Sequence, residues 1–387
     1  MVFHRAKLFV HKKELQLDNV LDFFREKKPW SKYKDLILEY YLEPYLQKVK
    51  NLRKPILIVD CFAGPGEFDD NELGSPLIIM EKLCRLHESG YQVTGIFIEA
   101  NKELYARLEG NTRDSTVPIK MRFGNFTKFV GEISDFAKGH SVFVYLDPIK
   151  PSHLLFDDMR SVYEQLQTGQ SIEVLINFMS WGFLRGVWGS ANHMMSHGKI
   201  KSEHPRVLHF NQIAGGTYWQ HIAFDDSLSQ TERTDKLAHG YANQLHRWFR
   251  YVLHYPIREK YETSYPKYHL VFGSRSHHAV DLMNRAMVKA RREFIKAGFI
   301  EGFLFPNQPN KEVIRPDEIK KIVIETSREF GKTDWTQLRI NATLAHPCLY
   351  TDSEFNRAIK QAIKDGKLGS SCPGTKIEGN AMVWPLP

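Results

Sequence analysis

The sequence predicts an α/β protein: a Rossmann-like parallel sheet with helices on both faces, followed by a small winged-helix domain. Three observations predict it. Short β-rich runs that are almost continuously apolar recur from residue 56, as strands buried on both faces must be. Amphipathic stretches separate them, and strand–helix alternation builds a parallel sheet through crossover connections. Last, a Pro/Asn-rich connection, NQPNKEVIRP (307–316), leads into three helical segments and a Gly/Ser/Pro-rich stretch, KLGSSCPGTKIEGNAMVW (367–384). Helix, helix, helix, hairpin is the order of a winged helix, a relative of helix-turn-helix.

In chain order, WSKYKDLILEYYLEPYLQKV (30–49) reads as a helix with one apolar face, so residues 1–54 are expected to form a helical segment packed on the core. Strands are predicted at 56–62, 93–100, 119–125, 141–147 and 173–178, with helices at 76–89, 101–110, 126–138 and 154–167. Ser75 is the expected N-cap of the first of these helices, with Pro76 in its first turn. The stretch 185–235 has weak periodicity and many Gly, His and polar residues, and reads as an insertion after the fifth strand, basic to about residue 260. YHLVFGS (268–274) is a further strand, and 277–297 a long helix ended by Gly298. The core domain thus runs over 55–300. The tail, 311–387, has helices at 316–330, 334–345 and 353–365, the last capped by Asp352 or Ser353 and stopped by Gly366.

A chain of 387 residues is too long for one small core, and two domains are expected. It has no run of eighteen apolar residues to span a membrane. Its first residues, MVFHRAKLFVHKKELQLDN, lack the apolar core and cleavage site of a signal peptide. Four scattered cysteines without a CxxC pair indicate neither a disulfide framework nor a zinc cluster, and fit a reducing cytoplasm.

Charge is uneven. Residues 185–310 hold 17 Lys/Arg against 10 Asp/Glu and 11 of the 17 histidines, whereas residues 1–149 hold 22 against 21. Clustered positive charge attracts phosphates at long range. Arg185, Arg206 and Arg275 are candidates to neutralise phosphates there, and Trp181, Phe183 and Trp188 to stack on unpaired bases. Solvated helix faces and core packing are the alternative. The third tail helix carries Arg357, Lys360 and Lys364 on one side, although the tail's 12 Lys/Arg stand against 10 Asp/Glu.

In open α/β sheets ligands bind beyond the carboxyl ends of the strands, so the residues ending each strand are the candidates. Strand 1 runs into Asp60-Cys61-Phe62-Ala63-Gly64-Pro65-Gly66. This loop lacks the third glycine of a dinucleotide fingerprint and the Lys-Ser/Thr of a P-loop. Asp60, Phe62, Gly64 and Gly66 are the cofactor-loop candidates; a structural strand-to-helix turn is the other reading. Strand 2 ends in Glu99, whose carboxylate can accept both ribose hydroxyls of an adenosine-type cofactor or simply favour a helix N-terminus. Strand 3 ends in Gly124-Asn125-Phe126. Asn125 could bond an adenine edge and Phe126 stack on its face; an N-cap is the alternative. Strand 4 ends in Asp147-Pro148-Ile149-Lys150.

Taken together, VDCFAGPG followed by GSPL (74–77), IEAN (98–101), GNF, YLDP, YHLVFGSRS (268–276) and the Lys34…Tyr40 helix resemble the three-Cys-motif partner protein family over about residues 30–297. The resemblance implies a class I methyltransferase-like domain binding S-adenosyl-L-methionine. Gly64, Gly66 and Glu99 would hold the cofactor, and Asp147 with Pro148 would face the acceptor, where positioning supplies much of the rate of an in-line transfer. It also implies a three-Cys-motif protein as partner; Lys34 joins the substrate-side candidates. Amino-group nucleic-acid methyltransferases continue Asp-Pro-Pro-aromatic, whereas this chain has Ile149 and Lys150. Three readings therefore stand: a methyltransferase acting on nucleic acid, a nucleic-acid-binding component with a non-catalytic cofactor domain, and a methyltransferase for a small molecule or protein. No metal site is expected.

Overall fold

The sheet grows outward from β1 (Ile56–Asp60), which is buried along its whole length. The computed structural model describes residues 21–258, 266–301, 315–372 and 380–387. Residues 1–20 of the expected N-terminal segment, residues 259–260 of the expected insertion, the linker up to residue 314 and residues 373–379 of the expected hairpin lie outside them. The remaining strands are β2 (Val93–Glu99), β3 (Ile119–Phe123), β4 (Ser141–Leu146), β5 (Ser171–Phe178), β6 (Tyr251–Ile257) and β7 (Tyr268–Ser274). They form one seven-stranded sheet in the order β3-β2-β1-β4-β5-β7-β6. This is a mixed α/β, mostly parallel architecture, as expected of a Rossmann-like sheet.

Packing divides the described residues into two units. One holds the residues up to Asp35, Leu46–Ile149 and Asp157–Ile172; the other holds Leu36–Tyr45, Lys150–Phe156 and Glu173 onward. In the first, β1 pairs in parallel with β2 and with β4, and β2 with β3. The edge strand β3 is only half-buried and carries Lys120 and Arg122. Arg122 makes a two-pronged contact with Glu132 at 2.8 and 2.6 Å, and such charges keep an open edge from pairing with another chain. Helix α1 (Pro29–Val49) has residues in both units, whereas α2 (Ser75–Glu88), α3 (Lys102–Thr112) and α4 (Val130–Ala137) belong to the first. α2 begins one residue earlier than predicted. Gly74 is its N-cap, not Ser75, because the Ser75 hydroxyl is used on Asp60.

In the second unit β7 pairs antiparallel with both β5 and β6. β6 was not predicted: Pro256 and half-buried His254 and Tyr255 break its apolar run, as an outermost strand allows. The supposed irregular insertion is helical: α5 (Ser180–Met194), α6 (Pro205–Ala214) and α7 (Gln230–Leu245). α7 starts on a Ser229/Glu232 capping box. Phe183, Phe210 and Trp219 meet edge-on or tilted at 5.3–5.8 Å between centroids, so aromatic packing holds short helices whose own periodicity is weak. α8 (His277–Glu301) runs past Gly298; one interior glycine costs a helix only about 1 kcal/mol, too little to end it.

The tail folds as α9 (Pro316–Phe330), β8 (Thr333–Asp334), α10 (Trp335–Ala345), α11 (Asp352–Lys364), β9 (Leu368–Ser370) and β10 (Met382–Pro385). The strands form a small sheet with β10 between β8 and β9, over a core that includes Val323, Leu338, Phe355, Ile359 and Val383. The cap of α11 is Thr351, in a capping box with Glu354, rather than Asp352 or Ser353. The Asp352 carboxylate goes instead to Arg285, at 2.5 and 2.8 Å. No helix of the described residues is long and apolar enough to cross a membrane, and all four cysteines are free.

Glu173, near the start of β5, is buried and accepts hydrogen bonds from the Tyr41 and Ser274 hydroxyls. Burial outweighs both and pushes its carboxyl from 4.5 up to about 7. The folded chain then keeps a proton that the unfolded chain has released, so stability falls as pH rises from about 4.5 to 7 and levels off above. In urea titrations Glu173→Gln should lose this part of the slope and gain on the parent above pH 7, by on the order of 3 kcal/mol. Identical pH profiles would contradict the assignment.

Candidate functional site

At the end of β1 the Asp60 side chain is fully buried. Its carboxylate accepts the Phe62 N–H at 3.0 Å and the Ser75 hydroxyl at 2.6 Å. Burial pushes it from 3.8 up to about 7, against those two hydrogen bonds. Asp60 therefore turns inward and ties the two ends of the loop together. Between these ends Gly64 and Gly66 take φ of +65° and +85°, the left-handed region that disfavours a side chain. A Cβ on Gly64 would stand 3.0 Å from the Phe24 ring, and one on Gly66 would stand 3.1 Å from Leu108.

The residues that delay α2 form a small excursion. Phe68 and Glu72 pair across a turn at Asn71, and the Gly74 N–H closes it onto the Gly66 carbonyl at 2.7 Å. The chain before α1 straps this excursion down. Asp69 N–H donates to the Phe24 carbonyl at 2.9 Å, Lys27 N–H to Asp70 at 3.0 Å, and the Lys27 ammonium to the Leu73 carbonyl at 2.5 Å. That ammonium also pairs with buried Asp35 at 2.9 Å. Phe24 packs with Phe68 and Leu104. Sequence reading missed the strap; its signal was the FF pair at 23–24 opposite Phe68.

Glu99 meets this loop. One carboxylate oxygen accepts the Gly64 N–H at 2.9 Å and the other the Asn101 N–H at 2.6 Å. Burial raises its pKa, against those bonds. A carboxylate has about four acceptor positions, so the two backbone bonds orient it and leave capacity for a ligand. Beside it, Asn125 serves as an N-cap, accepting from Thr127 N–H at 3.0 Å, and Phe126 is buried against Phe62. The exposed ring here is Phe123, 52% accessible, whose place in β3 is in register with Glu99. Phe126 was expected to offer its face, but the 3-10 turn that starts there carries it inward.

At the end of β4 the Lys34 ammonium, carried in by α1, hydrogen-bonds the Asp147 carboxylate. It lies 3.9 Å from Asp35 and over the Tyr145 ring at 5.7 Å. Burial disfavours the charge, but Asp147 and Asp35 outweigh it and raise the pKa, so the amine stays protonated. Pro148 follows, and Ile149 is 39% exposed. The first unit thus brings together Lys34, Asp60, Phe62, Gly64, Gly66, Glu99 and Asp147 along the carboxyl ends of β1, β2 and β4.

The basic candidates lie in the second unit. Arg185 is exposed on α5, Arg275 is exposed after β7, and Arg206 starts α6 with a bond to Ser190 at 3.3 Å. Of the aromatics expected beside them, Phe183 is buried and Trp181 and Trp188 are half-buried. Phe183 is inaccessible, Trp188 donates to the Ala223 carbonyl at 2.9 Å, and Trp181 packs edge-on against Trp188. The same unit holds a chain that sequence reading did not find: Ser180 to His269 Nδ1 at 2.8 Å, and His269 Nε2 to Asp235 at 2.8 Å. Ser180 and His269 are wholly inaccessible, and the ring nitrogens are reversed relative to a hydrolytic triad. The chain is structural. Among the described residues no His/Cys/Asp/Glu group is arranged to hold a metal.

No family model and no curated protein sequence matches the chain. Among solved structures, a methyltransferase candidate from Porphyromonas gingivalis W83 aligns over 36% of this chain, at 19% identity and a TM-score of 0.21. The alignment spans 32% of that protein's length. The plantazolicin methyltransferase BamL, solved with a triazolic desmethylPZN analog and SAH, aligns over 69% of this chain and 93% of its own, at 11% identity and a TM-score of 0.31. Likenesses this distant carry no weight, and the site stands on the chain's own side chains.

The glycine loop and the strap should be energetically coupled. Gly64→Ala should cost about 1–2 kcal/mol through its left-handed backbone, plus the clash with Phe24. In a double-mutant cycle with Phe24→Ala, the clash is relieved and the pair should couple by about 0.5 kcal/mol or more. Additive urea midpoints would show that the ring does not press on the loop.

Proposed function

We propose that this chain binds S-adenosyl-L-methionine at the carboxyl ends of β1 and β2, and transfers its methyl group to nucleic acid. On this reading the chain is a three-Cys-motif partner protein whose tail is a winged helix. The observation that carries the reading is the bond from the Gly64 N–H to Glu99. It joins a loop with two left-handed glycines to an oriented carboxylate, and the two together suit an adenosine ribose lying across both strand ends. Exposed Phe123, in register with Glu99, offers its face to the base.

The cofactor, when bound, supplies an electrophilic methyl on a sulfonium. The chain's part is positioning. Asp60 and Ser75 fix the loop, Gly64 and Gly66 supply its left-handed turns, and Glu99 fixes the ribose. Asp147, which takes a hydrogen bond from the Lys34 ammonium, accepts a further one from an amine acceptor and orients its lone pair toward the methyl. Holding reactants in line lowers the entropy cost of the bimolecular step. The reading in which the domain binds the cofactor without transfer has its own support: Lys34 already occupies Asp147, and Ile149 stands where a base-stacking ring would be needed.

Tritiated methyl transfer to total DNA, RNA and protein tests the proposal. Label should enter nucleic acid, and Asp147→Ala should abolish transfer while leaving cofactor affinity nearly unchanged, because the side chain acts on the transition state. Label in protein alone, or cofactor binding without transfer to any pool, would overturn the nucleic-acid reading.

A further inference from the structure

α11 is the third helix of the tail, the one that in helix-turn-helix relatives enters the major groove with its N-terminal residues on base edges. Here the two acids of that end are already engaged. Asp352 holds Arg285 at 2.5 and 2.8 Å and Glu354 holds Arg292 at 3.0 and 3.2 Å, both arginines standing on α8. Arg339 of α10 adds a buried pair with Asp281 of α8. Asn284, also on α8, bonds both sides of the preceding turn, donating to the Tyr350 carbonyl and accepting the Cys348 N–H, each at 2.8 Å. Contacts from α8 thus engage Asp352 and Glu354 in the first turn of α11 and the turn before it.

The opposite side of the helix is open. Ser353, Arg357, Lys360 and Lys364 are exposed, and at about 3.6 residues per turn they fall within an arc of about 60°. Asp352 and Glu354 lie off this arc, and no aromatic ring stands on it. Neither Arg357, Lys360 nor Lys364 makes a hydrogen bond or ion pair among the described residues. Lys367, exposed just past the helix, extends the row. From Arg357 to Lys364 the helix rises about 10 Å, about three steps of the roughly 3.4 Å axial rise between phosphates of one strand.

We infer that the tail grips the phosphate backbone of double-stranded nucleic acid along this row, and does not read base sequence. The inference rests on the nucleic-acid reading above and gives it a substrate class: a duplex, held in a sequence-independent way. A regular row of fixed cations suits a regular phosphate array, and without rings there is no platform for unpaired bases.

Fluorescence anisotropy of the full chain with two unrelated labelled DNA duplexes, across a salt series, tests this. Each lost phosphate contact removes roughly 0.9 from the slope of log affinity against log salt. The triple variant Arg357→Gln/Lys360→Gln/Lys364→Gln should therefore flatten the slope by about two to three units. Arg328→Gln, an exposed position on α9, should leave it unchanged. The two duplexes should bind alike. An unchanged slope in the triple variant with an intact circular dichroism spectrum, more than tenfold discrimination between the duplexes, or tighter binding of poly-glutamate than of duplex would each overturn the inference. Cofactor binding by the same variant separates the two failures: duplex binding without any cofactor affinity sinks the transferase reading and leaves this one standing.

Discussion

The carboxyl edge of the sheet depends on two carboxylates that face backbone. Asp60 bonds Phe62 N–H and the Ser75 hydroxyl, and Glu99 bonds Gly64 and Asn101 N–H. Between them they define a loop with two left-handed glycines. Asp60 is worth keeping there despite its burial because an unbonded end of this loop would leave buried N–H groups unpaired, each at a cost of about 1–3 kcal/mol. The strap from Phe24 to Lys27 presses on the same loop from outside, so the site is held between a fixed floor and a fixed cover. Such rigidity is what a binding site needs if the ligand's affinity is not to be spent on ordering the protein.

Much of this edge was legible in the sequence because its logic is local. A β-rich run ending in Asp, then two glycines, then a second run ending in Glu states the site in one dimension, and β1, β2 and β4 lie within two residues of their predicted bounds. What the sequence hid is long-range or directional. Nothing local distinguishes an inward Asp60 from a ligand-facing one; only the partner at Ser75 decides it. Phe126 and Phe123 are both aromatic residues at the end of one strand, and the turn after Asn125 selects which is buried. Lys34 and Asp147 are 113 positions apart, and no periodicity connects them.

The second unit was misread for a related reason. Short helices such as α6 show little amphipathic pattern, because rings from several elements share one core. Charge misled in the same way. Part of the excess in 185–310 is spent internally, since Arg285 and Arg292 neutralise acids of the tail. The cations left to face solvent include the row on α11, in a segment whose near balance of charge gave no hint of it. Net charge locates attraction only after the internal pairs are removed.

On the proposed function, Glu99 holds the ribose of S-adenosylmethionine. Isothermal titration of S-adenosylhomocysteine into the parent and into Glu99→Gln is the direct measurement. The change keeps the side chain's size and removes its charge. The parent should bind one equivalent, and Glu99→Gln should lose about 1.5–3 kcal/mol of affinity, the worth of hydrogen bonds to a charged acceptor. Equal affinity in both proteins, or no heat from the folded parent, would contradict the account.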